Sequence, residues 1–140
     1  MILSLVNQLL CLVNDEHFSA LDIAVIDTID GGVDVIKLGA PSSFILRKSA
    51  VEVLKSTSPP VGVVDKINPT TARHQLYDGD MMILASDGVV DALGENRVIE
   101  AIDEAGTSNP QTLADRLLDS ALGKGAEDDC TVLVFRLVAI

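Results

Sequence analysis

Between Ser19 and Ser86 six short β-rich runs follow one another with only turn signals between them, and helical periodicity resumes only at Glu95. A run of strands with helices only before and after it does not alternate as βαβ units would, so mainly antiparallel pairing is expected. The runs are Ser19 to Asp27, Val33 to Leu38, Ser43 to Arg47, Val51 to Leu54, Thr70 to Tyr77 and the apolar stretch Met81 to Ser86. Asp30-Gly31-Gly32 predicts a hairpin between the first two, and Lys48-Ser49-Ala50 a second one between the third and fourth. Pro59-Pro60 and Asn68-Pro69 interrupt the chain before the fifth run.

Helices bracket this block. From Ile2 to Val13 the polar residues Ser4, Asn7, Gln8 and Cys11 recur at three- and four-residue steps, leaving a narrow polar stripe on an otherwise apolar helix that needs cover on most sides. Glu95 to Ala105, closed by Gly106, and Pro110 to Leu122, closed by Gly123, follow the strands, with Asn109 placed as an N-cap ahead of proline. Cys130 to Val138 reads as a last strand. The expected class is α+β, in one domain over residues 1–140.

The 48% hydrophobic content supports a packed core, and the net charge of −11 argues against nucleic acid or an anionic bilayer as a partner. The acid is concentrated: from Asp78 to Asp129 there are 13 carboxylates against three basic residues. Such a region attracts cations, although charged helix faces account for most of it. Cys11 and Cys130 stand far apart without a partner motif, which fits a reducing cytoplasm better than a disulfide framework or a zinc site. The apolar opening is too short to span a bilayer and lacks the basic start of a signal peptide, so no membrane span is expected in this chain.

Two stretches carry chemistry. In Ile83-Leu84-Ala85-Ser86-Asp87-Gly88 an apolar strand delivers a carboxylate at its tip, and the glycine beside it lets backbone or substrate come close. The plain alternative is that Asp87 caps the next helix. In Gly125-Ala126-Glu127-Asp128-Asp129-Cys130-Thr131 three adjacent carboxylates precede a buried strand, and a hard divalent cation would relieve their repulsion as well as solvent would. His17 and His74 are isolated and read as structural. No nucleophile elbow is present, a dehalogenase-type nucleophile is excluded by Ala85, and Asp78-Gly79-Asp80 is too short for a calcium loop.

FSALDIAVID, KLGAPSSFILR, PPVGVV, YDGDMMILASDGVVDAL and EDDCTVLVFRL, in that order and spacing, resemble the metal-dependent (type 2C) protein serine/threonine phosphatases. Within them the similarity is to the bacterial branch that includes stage II sporulation protein E. The resemblance spans nearly the whole chain. It implies a sandwich of mainly antiparallel sheets flanked by helices, with carboxylates at one edge holding two Mn2+ or Mg2+ ions. Asp87 and Asp128 match the family's ligands, with Gly88 beside the first in a supporting place, while Asp129 stands where many members have asparagine and is therefore expected to support the ligands without bonding the ion. The implied reaction is attack on phosphorus by a water that the two ions activate, with no side-chain nucleophile. The implied substrate is a phosphoserine or phosphothreonine protein such as an anti-anti-sigma factor.

One departure bears on activity. Family members resemble one another in an early Asp-Gly-x-Gly block whose aspartate bridges the ions, and this sequence holds none. Ahead of Ser19 the acidic residues are Asp15 and Glu16, with no glycine following. The chain is therefore expected to correspond to the C-terminal part of such a domain, as a fragment or a degenerate form, with weak or no catalysis on its own. The rival expectation is a noncatalytic binding module that keeps the fold. With no preceding helix to cover it, the stretch from residue 2 to 13 is expected to form a homodimer.

Overall fold

The computed structural model describes residues 2–13, 17–48, 50–106 and 109–138. Asp15, Glu16 and Ser49, considered above, lie outside the described residues. The elements are α1 (Ile2–Leu12), β1 (Leu21–Ile26), β2 (Gly32–Leu38), β3 (Ser43–Arg47), β4 (Ala50–Leu54), β5 (Thr70–Gln75), β6 (Met81–Ala85), α2 (Asp87–Leu93), α3 (Glu95–Ala105), α4 (Pro110–Gly123) and β7 (Val132–Arg136). The strands form a three-stranded sheet in the order β1-β2-β5 and a four-stranded sheet in the order β4-β3-β6-β7. Every described strand pair is antiparallel.

The first hairpin pairs Leu21 with Leu38 and Ile26 with Val33. Gly31 adopts φ 77° in its turn, a conformation that favours glycine, and donates its N–H to the Asp27 carbonyl. In the second hairpin Ala50 pairs with Arg47, so the residue expected in the connector belongs to the strand. The outer strands are shorter than the runs that foretold them, because pairing ends where the partner strand ends: β1 and β7 lose residues at both ends and β5 stops at Gln75.

Packing follows from the pattern of apolar residues. β3 and β6 are the inner strands of the four-stranded sheet and are buried on both faces, which is why the apolar residues Phe44, Ile45 and Leu46 of β3 and the run Met81–Ala85 are consecutive instead of alternating. Their inward side chains Ile45 and Met82 meet Val33 and Val35 of the other sheet, forming the sandwich core. On the opposite face Phe44, Leu46, Met81 and Ile83 pack with Val98 and Ile102 of α3 and Leu113 and Leu117 of α4. Asn109 caps α4 as expected, its side chain accepting from the N–H groups of Gln111 and Thr112. The helix runs one residue further than its glycine stop signal suggests, taking in Gly123 and turning at Gly125, φ 79°.

Two findings depart from expectation. Helical structure begins earlier than Glu95, since α2 follows β6 directly, held by Val89 packed against Ala85 and Ala121. And α1 docks chiefly through one polar residue: Asn7, 1% exposed, donates to the carbonyls of Val64 and Asp65 and accepts the Gly62 N–H, with Leu3, Leu10 and Cys11 half-buried around it, while Ser4 and Gln8 are exposed along with Ile2, Leu5, Leu9 and Leu12. Among the described residues no helix is long and apolar enough to cross a membrane.

Candidate metal centre

The end of β6 and the start of β7 lie side by side because the two strands are antiparallel neighbours. Beyond the last pair, Ala85 with Val132, Ser86 fastens the loops that follow. Its N–H donates to the Thr131 carbonyl at 2.9 Å, its hydroxyl donates to the Asp129 carbonyl at 3.0 Å, and the same hydroxyl accepts the Thr131 N–H at 2.9 Å. Asp87 therefore leaves β6 at a fixed place beside the Asp128-Asp129 turn.

Gly88 explains how closely the loops approach. A Cβ on this buried residue would lie 2.6 Å from the Asp129 carbonyl oxygen and 3.1 Å from that of Asp128, so any larger residue would push the loops apart. The glycine serves close approach here, as its place beside Asp87 suggested. Asp87 opens α2 with Ser86 at the N-cap position, and its Oδ1 accepts the Gly88 N–H at 3.0 Å. A carboxylate in a first helical turn is favoured by the exposed N–H groups there, but Ser86 takes the N-cap position, so Asp87 is not the cap of α2. Asp128 likewise turns Oδ1 onto the Asp129 N–H, at 2.7 Å.

The two loops meet, and Asp87 and Asp128 line different clefts. Asp87 lines one of about 510 Å³ together with Ser19, Asp22 and Ser86, at the mouth of the sandwich. Asp128 lines another of about 380 Å³ with Gly88, Asp91 and Glu127. Asp129 contributes its carbonyl to the Ser86 clamp. Carboxylate oxygens are the donor type that Mn2+ and Mg2+ take, so the chemistry of the residues fits a hard divalent cation. Their number fits less well: among the described residues no three His, Cys, Asp or Glu side chains gather to hold a metal.

A buried polar cluster beside the first cleft has no counterpart in the sequence reading. Lys37 of β2, 1% exposed, donates to Asp22 Oδ2 of β1 at 2.5 Å and to the Ser43 hydroxyl of β3 at 2.7 Å. Ser43 also donates to the same Asp22 oxygen. Burial pushes the Lys37 pKa down, and the hydrogen bond and charge of Asp22 push back. The signal was available: counting by twos along β2 puts Lys37 on the inward face with Val33 and Val35, and the hairpin register puts Asp22 opposite it. His74, read as structural, contacts Glu52 at 3.0 Å, between β5 and β4.

Comparison with known proteins agrees with this architecture. The family profile of stage II sporulation protein E (SpoIIE) matches residues 1–138. The stage II sporulation protein E of Priestia megaterium is 33% identical over 141 residues, covering 94% of this chain and 24% of that protein. This chain thus spans about a quarter of that relative's length. Among solved structures, the PP2C phosphatase domain of Bacillus subtilis SpoIIE with a fragment of its regulatory domain superposes with a TM-score of 0.82 at 28% identity, covering 93% of this chain and 41% of that one. The Mn-presoaked phosphatase domain of the same protein gives 0.70 at 27% identity, over 86% of this chain and 57% of that one.

Proposed function

Because the chain belongs to the SpoIIE family of bacterial, metal-dependent serine/threonine phosphatases, we propose that it carries the part of a phosphatase site in which Asp87 and Asp128 hold a divalent cation, Mn2+ or Mg2+. The observation that carries this reading is the close approach of the two acidic loops, which Ser86 clamps and only Gly88 permits. When bound, the cation supplies an activated water for attack on a phosphoserine or phosphothreonine ester. The residues of this chain orient it: Ser86 fixes the loops, Gly88 leaves room between them, and the Asp129 backbone accepts the clamp. The substrate on this reading is a phosphorylated regulatory protein such as an anti-anti-sigma factor, met in the cytoplasm.

A noncatalytic role for this chain by itself has its own support. The sequence contains no Asp-Gly-x-Gly block, and the described residues assemble no set of three metal ligands. Weak cation binding without efficient turnover is the outcome both observations favour. Calorimetric titration with Mn2+ tests the reading. Binding should be weak, and Asp87→Asn and Asp128→Asn should each reduce it further. Tight binding indifferent to both substitutions would place the cation elsewhere and end the assignment.

A further inference from the structure

Asp22, Lys37 and Ser43 form a buried polar tie that crosses from one sheet to the other: β1 and β2 supply the ion pair and β3 the hydroxyl. Apolar side chains of similar volume usually serve a core at least as well as a buried ion pair, so cohesion of the sheets is a poor reason for this one. Its bonding is lopsided. Both Lys37 and Ser43 bond Asp22 Oδ2, whereas Oδ1 is buried and has no hydrogen-bond partner among the described residues. A carboxylate kept only to neutralise Lys37 would be expected to use both oxygens. Asp22 also lines the 510 Å³ cleft that Asp87 and Ser86 line.

We propose that Asp22 is a further carboxylate of the cation site, acting on the cation through its bound water, and that Lys37 and Ser43 are positioning residues that hold it beneath the cleft. The proposal rests on the cation reading of Asp87. Carboxylates that act through ligand or water in this way commonly tune affinity by about tenfold. Their effect is on binding, and a tie that only fixed the two sheets would leave binding unchanged.

The test is Mn2+ titration of the 15N-labelled chain, following paramagnetic broadening of the Gly88 amide, with thermal unfolding without metal as a parallel readout. Asp22→Leu/Lys37→Met removes both charges together and keeps the site filled with apolar atoms, so the fold should survive. Its broadening midpoint should move to about tenfold higher Mn2+. Asp22→Asn, which keeps the shape, should shift the midpoint in the same direction. An unchanged midpoint in both variants, with or without a change in unfolding temperature, would overturn the role of Asp22 and leave the cation reading intact. Absence of broadening at Gly88 in the wild type would overturn that reading and this proposal with it.

Discussion

α1 and the pair α3–α4 are helices of the same chain that are held in different ways. α3 and α4 bury Val98, Ile102, Leu113 and Leu117 against the four-stranded sheet. α1 buries a single residue, Asn7, and docks through its side-chain amide on the 62–65 segment. Its apolar side chains Leu5 and Leu9 remain 57% and 55% exposed. Helical periodicity reports that a helix has two faces. Which face meets the rest of the chain depends on what that chain offers, and here it offers α1 the carbonyls and N–H of a loop instead of an apolar sheet.

The largest effect expected from this contrast is in the core. Leu117→Ala should cost about 2–5 kcal/mol in urea unfolding, since the fully buried side chain leaves a cavity between α4 and the sheet. Leu9→Ala, on the exposed side of α1, should change stability by about 0.5 kcal/mol or less. Equal costs would mean that α1 is packed as firmly as α4 and would erase the contrast.

A smaller effect is expected at the polar clasp. Asn7→Ala leaves the Gly62 N–H and the Val64 carbonyl without their partner and should cost about 1–3 kcal/mol. Faster amide exchange should be confined to α1 and the 62–65 segment. The exposed apolar side of α1 also bears on association. We expect sedimentation at micromolar concentration to show a homodimer through residues 2–13 that Leu5→Glu/Leu9→Glu dissociates. A monomeric wild type would mean that this face has no partner in a second copy.

The smallest effect is electrostatic and lies at the start of α3. The hydrogen bond from Lys55, and after it that from Ser42, holds the Glu95 carboxyl below its usual range. A carboxyl whose pKa is lower in the folded state contributes stability that is complete above the ordinary glutamate range and is lost as pH falls through the folded value. Acid titration of stability should therefore be slightly shallower in Glu95→Gln than in the wild type. Identical profiles would show that solvent screens the pair completely.

Elements with strong local signals were legible in the sequence: the turn at Gly31, the Asn109 cap, and the apolar run of β6. α2 was not, because a seven-residue helix has little periodicity of its own and is held by Val89 packing on Ala121. At the candidate site, Asp87 and Gly88 drew attention because a strand tip followed by glycine is a local pattern. Asp22 and Lys37 were passed over as ordinary charges, although alternation and hairpin register together place them inward and opposite. Cleft assignment was beyond reach, since Asp87 and Asp128 line clefts formed by loops that meet only in three dimensions.

Turnover of a phosphopeptide against Mn2+ concentration, measured for the wild type beside Asp87→Asn, tests most directly the claim that this chain holds part of a phosphatase cation site without the residue that completes it. The account predicts turnover near background at every Mn2+ concentration, with little left for Asp87→Asn to remove. Robust Mn2+-dependent turnover that Asp87→Asn abolishes would contradict it, because another residue of this chain would then have to supply the missing ligand.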